Sequence, residues 1–229
     1  VAEWLRLQEQ LRDEHDRFVT LASLKPNSGM DRLMTARQTQ LLDQFGEDLT
    51  LLARNGYLSP LFGRETEMEE LLRVIEGGRR SVVLVGERGV GKMSLIELLA
   101  RRMVEEDVPE ELFDRRLVEV RIPSLIASGE AGTAMERLLT LLTEVSLSGN
   151  ILLVLQGIET LVGGASGPLD LAEALATELD RGRIMVIATT TPSAWTNFLE
   201  RRSLGAKLTR LTIREPSAEE AIRMLMVKT

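Results

Sequence analysis

Cysteine is absent from this chain, which excludes disulfides and thiolate metal sites within it, without itself naming a compartment. Histidine is nearly absent: His15 stands alone in a charged, helix-patterned stretch and reads as a solvated surface residue. Aromatics make up 3% of the residues, yet hydrophobic residues reach 44%, enough for a full core in one large domain, or in one domain plus an arm. No apolar run approaches the roughly 18 residues of a membrane span, and no signal peptide is visible. An excess of positive charge is also missing. The net charge is −7 and the pI about 5.0, which argues against nonspecific nucleic-acid binding. The pairs Arg79-Arg80, Arg101-Arg102, Arg115-Arg116 and Arg201-Arg202 lie apart, and most read as solvated faces. There is no internal repeat and no low-complexity segment. The first residue is Val rather than Met, so the expectation is a piece of a longer protein.

What the chain does have is Ser81–Ser94, SVVLVGERGVGKMS. An apolar β-type run, Val82–Val85, feeds Gly86, Glu87, Arg88, Gly89, Val90, Gly91 and Lys92, and a helical pattern starts at once. The glycines let successive backbone N–H groups curl around phosphate oxygens. The helix N-terminus and Lys92 add positive potential. A loop of this length between strand and helix predicts nucleotide phosphate binding. The bland alternative is a tight strand-to-helix turn that merely kept its glycines. In this motif a Ser or Thr follows the Lys and holds Mg²⁺. Here that position is Met93, whose thioether is a poor ligand for a hard cation. Ser94 comes one residue later, about 100° around the helix.

Two regions follow from the pattern. Residues 1–56 read as a helical arm or linker, with Trp4, Leu7, Leu11, Phe18 and Leu21 on one apolar stripe. Pro26-Asn27-Ser28-Gly29 breaks that helix, and a second is expected from about Met30 to Phe45. The stripe fits packing on the neighbouring domain or docking of a partner. From Leu58 onward strands and helices alternate. The apolar strand candidates are Val82–Val85, Leu117–Ile122, Ile151–Leu155, Ile184–Thr189 and Leu208–Ile213. Expected amphipathic helices include Thr66–Ile75, Ser94–Val104, Ala134–Val145 and Leu169–Leu179, and Gly163–Gly167 reads as a surface loop. This alternation predicts a parallel sheet covered on both faces, with ligand at the carboxyl ends of its strands.

Several motifs in order, from Leu42 to Leu225, resemble the first AAA+ module of the Clp unfoldases and disaggregases. Phe45–Glu65 is similar to the family's segment in which Gly-Arg-Asp/Glu follows two apolar residues of the adenine pocket, matched here by Leu61 and Phe62. The P-loop follows at the family spacing. Val108–Val120 looks like the second strand and its approach, Thr160–Gly164 like the turn after the third strand, and Ile187–Thr191 like the sensor-1 strand, with Thr190 as the polar sensor. Arg214–Leu225 resembles the start of the helical lid. The resemblance implies an α/β P-loop NTPase (AAA+) fold with a five-stranded parallel sheet and helices on both faces. A helical arm (1–56) precedes the large nucleotide-binding subdomain (57–214), and a truncated lid (215–229) follows. It also implies ATP or ADP as ligand, a cytoplasmic setting, self-association into a ring in the full-length protein, and protein partners or substrates. Neither nucleic acid nor membrane is expected as a partner.

The departures from the family pattern concern chemistry. The family's third strand ends Asp-Glu, the Asp supporting Mg²⁺ and the Glu polarising the attacking water. Here Ile151–Leu155 runs into Gln156 and Gly157, so neither role survives, and no residue of the catalytic set is intact. Glu159 is the next carboxylate, two residues past the base position and on the turn. Counting from Thr190 or from Glu215, the family's paired arginines fall on Ala206 and Lys207, while Arg201 and Arg202 form the same motif five residues early. The finger is therefore either lost or carried by Arg201 and Arg202. The stretch matching the first pore loop, Ile126–Thr133, is short and has no aromatic residue to grip a polypeptide.

Three readings of function remain. The leading one is a degenerate Clp-type module that holds nucleotide, with Mg²⁺ weak or absent, and serves ring assembly or scaffolding. The second is an active ATPase in which Ser94 and Glu159 replace the missing groups. The third is a protein-interaction domain that has lost nucleotide binding as well. The intact Gly86–Lys92 loop speaks against the third, and the missing acids at 156 and 157 speak against the second.

Overall fold

Aliphatic runs separated by polar turns build a sheet wrapped by helices. The computed structural model describes residues 39–58, 63–78, 81–126, 131–162 and 171–216. In chain order these form α1 (Gln40–Phe45), β1 (Gly46–Asp48), α2 (Leu49–Arg54), α3 (Glu65–Glu76), β2 (Ser81–Val85) and α4 (Lys92–Glu105). Then come β3 (Arg116–Arg121), α5 (Ile122–Ile126), α6 (Ala131–Ser148), β4 (Ile151–Gln156) and a 3-10 turn (Ile158–Leu161). The last are α7 (Leu171–Asp180), β5 (Met185–Thr190), α8 (Ser203–Lys207) and β6 (Thr209–Thr212).

The sheet order is β1-β3-β4-β5-β2-β6. The five expected strands are β2 to β6, and all their pairings are parallel. β2, β4 and β5 are apolar runs because both of their faces are covered, whereas β6, at the edge of the sheet, is polar and half exposed. Successive residues of β2 point to opposite layers. Val83 and Val85 join Val118, Leu153 and Val186 against Leu138 and Leu142 of α6 and Leu175 of α7. Val82 and Leu84 join Leu152 and Ile187 against Met68 and Leu71 of α3 and Leu95 and Leu99 of α4. In α3 the buried positions Met68, Leu71 and Ile75 recur at helical spacing, and Glu65 and Glu67 lie in the first turn, where the helix dipole favours negative charge. Each fully buried aliphatic side chain of these layers contributes about 1.5–3 kcal/mol.

One strand lies outside the expected five. β1 pairs antiparallel with β3, setting Gly46 opposite Val120 and Asp48 opposite Val118. Residues 39–56, expected in the helical arm, thus join the α/β body, with Leu42 in one core layer and Leu49 and Ala53 in the other. Arg116 holds this edge: its Nε donates to Asp48 Oδ2 at 2.8 Å and its Nη2 to Asp43 Oδ1 at 3.2 Å. Asp48 also caps α2, accepting from the Leu51 N–H at 2.9 Å. The stripe from Trp4 to Leu21, the residues Leu61 and Phe62, the loop Gly163–Gly167 and the lid from residue 217 onward lie outside the described residues.

Candidate functional site

The strand β2 is buried along its whole length and delivers the chain to Gly86 at the carboxyl edge of the sheet. A Cβ at Gly86 would stand 2.7 Å from the Ile213 carbonyl oxygen and 2.9 Å from Val90 Cγ1, so the loop closes only with glycine here. The loop then caps α4, a 14-residue helix whose first residue is Lys92. The Lys92 ammonium donates to the carbonyls of Gly86 at 2.6 Å and Glu87 at 2.8 Å, so it lies across the mouth of the loop. Burial pulls its pKa below the ordinary lysine range, opposed first by Glu159 and then by Glu87.

A second brace comes from outside the motif. Arg64 is buried, and its Nη2 donates to the Val90 carbonyl inside the loop. Its Nη1 donates to Glu67 Oε1 at 2.5 Å and to the Arg214 carbonyl at 2.9 Å. One guanidinium thus ties the phosphate loop to α3 and to the segment leaving β6. The Gly-Arg-Glu string before α3 was its only trace in the sequence.

Because β5 lies between β2 and β4, the ends of all three strands open onto one cleft of about 380 Å³. The loop contributes Arg88, Gly89, Gly91, Lys92, Met93 and Ser94 to its lining. Strand β4 and its turn contribute Gln156, Gly157 and Glu159, and β5 and the residue after it contribute Thr189, Thr190 and Thr191. Of the expected binding residues, Gly86 and Val90 are buried behind the lining and Glu87 is exposed beside it.

The structure places Gln156 and Gly157 at the end of β4 that opens on the phosphate loop. Gln156 is the last residue of β4, in register with Thr189. Gly157 has φ of 75°, and an added Cβ would lie 3.3 Å from Pro123 Cδ. The backbone turns back on itself there, and the Gly157 carbonyl accepts from Thr160 Oγ1 at 2.7 Å and from the Thr160 N–H at 3.0 Å. That turn brings Glu159 into the cleft, where Thr190 Oγ1 donates to Glu159 Oε2 at 2.9 Å. Thr189 and Thr191 were not foreseen as lining. The run of three threonines at the end of an apolar strand was the available signal.

Does this donor set suit a nucleotide and its metal? Loop backbone, the N-terminal end of α4 and Lys92 fit phosphate oxygens. The magnesium side fits poorly. The hydroxyl place next to Lys92 is the Met93 thioether, and the supporting acid place is the Gln156 carboxamide. Among the described residues no group of three or more Asp, Glu, His or Cys could hold a metal ion. Arg201 and Arg202 are exposed in the turn before α8 and do not line the cleft. Lys207 of α8 pairs with Asp180 at 2.5 Å. No described helix is long and apolar enough to cross a membrane.

Residues 82–203 match the family described as ATPase family associated with various cellular activities (AAA). The chain is 36% identical over 189 residues to chaperone protein ClpB of Aquifex aeolicus, an alignment covering 80% of this chain and 19% of that protein. To the ClpA homolog of Guillardia theta, an ATP-binding subunit of the ATP-dependent Clp protease, it is 36% identical over 198 residues, covering 83% and 24%. Among solved structures it is similar to Hsp104 of S. cerevisiae in complex with ADP, with a TM-score of 0.73 and 31% identity over 80% of this chain and 32% of that one. A closed-state reconstruction of Hsp104 with ATPγS and FITC casein gives a TM-score of 0.72, 31% identity, and coverage of 81% and 32%. The chain therefore spans 19% and 24% of the length of these two curated relatives.

Proposed function

The chain belongs to the AAA family of ATPases, in a Clp-type form, and on that premise we propose that it is a nucleotide-binding module with little or no turnover. It holds ADP or ATP through the loop amides and Lys92, and takes up Mg²⁺ weakly. Its role is ring assembly or scaffolding within a longer, cytoplasmic protein-remodelling machine that self-associates and handles protein substrates. One observation carries this reading. The phosphate loop is whole, while the β4 end that faces it presents a carboxamide and a glycine. Losing a positioned base alone lowers a rate by about 10²–10⁴, and losing an arginine finger by about 10³–10⁵. A ligand that binds only the folded form still stabilises it by mass action, which suffices for a structural role.

A second reading has one observation in its favour: Glu159, the proposed substitute base, does stand in the cleft. Single-turnover conversion of labelled ATP, with the chain in excess and Mg²⁺ present, separates the two. The proposal expects ATP to remain intact over an hour while bound. Conversion within minutes that disappears in Glu159→Gln would establish the active enzyme instead.

A further inference from the structure

Glu159 is the only carboxylate among the described residues lining the cleft. It is held there rather than swinging free. Ile158 and Leu161 on either side of it are buried, and Thr190 Oγ1 donates to its Oε2 at 2.9 Å. A threonine hydroxyl has one proton to give. That of Thr190 is committed to Glu159, not to an incoming phosphate. Glu159 and Lys92 line the same cleft, and the carboxylate's charge favours the Lys92 ammonium.

In a loop of this kind the lysine reaches the β- and γ-phosphates. A diphosphate ends at Lys92. A triphosphate adds one more anionic group at this lysine, in the cleft that the Glu159 carboxylate also lines. The usual remedy is a bridging cation, but Met93 and Gln156 offer it no anionic oxygen. We propose that Glu159 is a specificity-determining residue that repels the γ-phosphate, so that this module selects nucleoside diphosphates over triphosphates. The inference rests on the nucleotide site proposed above and adds which nucleotide occupies it.

Calorimetric titration of ADP and of ATP in the presence of EDTA tests it on the full chain, on Glu159→Gln and on Thr190→Val. The wild-type chain is expected to favour ADP by on the order of tenfold or more, as two like charges in a cleft of this exposure require. Glu159→Gln, nearly isosteric but neutral, should bring the two affinities together. Thr190→Val keeps the charge and should keep the preference. Equal affinities in the wild-type chain, or a preference that survives in Glu159→Gln, would overturn the inference while leaving nucleotide binding in place. Absence of binding by either nucleotide would overturn both.

Discussion

At the β2 end of the cleft, the groups that face a ligand belong mostly to the backbone. At the β4–β5 end they are side chains. The loop around Gly86–Lys92 is fixed by the packing that fixes the fold: buried β2 behind it, α4 in front, and Arg64 tying the Val90 carbonyl to Arg214. Damage to that end means damage to the core. The β4 end carries its chemistry on Gln156, Gly157 and Glu159, none of which is fully buried and any of which can change without unmaking the sheet. A binding function written in backbone outlasts a reaction written in side chains.

The comparison can be broken most directly at Lys92. Lys92→Ala removes one charge-assisted contact to phosphate and should weaken nucleotide binding by about 10- to 150-fold, read by calorimetry. An unchanged affinity would mean the loop is not the ligand site. Next in size, Gly86→Ala forces a Cβ to 2.7 Å from the Ile213 carbonyl. Urea denaturation should show about 1–3 kcal/mol of lost stability, tying the loop to the fold.

The other end sharpens the contrast through Gly157→Glu. Restoring a carboxylate there puts a side chain on a left-handed residue beside Pro123. The change should reduce stability by about 1–2 kcal/mol and leave single-turnover ATP conversion unimproved. Recovery of hydrolysis would show that the turn readily adopts the family's geometry.

A smaller effect is expected from pH. Burial lowers the Lys92 pKa, so below the ordinary lysine range the folded chain holds fewer protons than the unfolded one. Its contribution to stability therefore rises with pH through that interval. Nucleotide affinity moves the other way, because phosphate needs the ammonium. Affinity should fall as pH rises through the same interval, and the fall should vanish in Lys92→Ala. Smallest of all, Lys207→Ala breaks a pair in which both side chains are more than a third exposed, and thermal unfolding should shift stability by less than about 0.5 kcal/mol.

Much of the sheet could be read from the sequence because parallel strands buried on both faces are apolar throughout, as Val82–Val85 and Ile151–Leu155 are. The boundaries moved slightly. Helix α4 begins at Lys92 rather than Ser94, because the glycine before it already caps the helix. Strand β1 had no such signal. Gly46-Glu47-Asp48 lacks an apolar face and becomes a strand through its pairing with β3 and the Arg116 contacts, which are nonlocal. The same holds for the cleft. Gln156, Gly157 and Thr190 could be assigned by resemblance, whereas Glu159 was legible only as the next acid along. Its place in the site depends on the left-handed turn at Gly157 and on strand order, which sets β4 and β2 on either side of β5.

The most direct test of the central claim is calorimetric titration of ATP into the chain with and without Mg²⁺. A module that cradles phosphate but has lost its metal side should bind ATP, with an affinity that magnesium changes by less than about threefold. Magnesium-dependent binding, tighter by a hundredfold or more, would contradict it and favour the active ATPase, with Ser94 and Glu159 the residues to replace next.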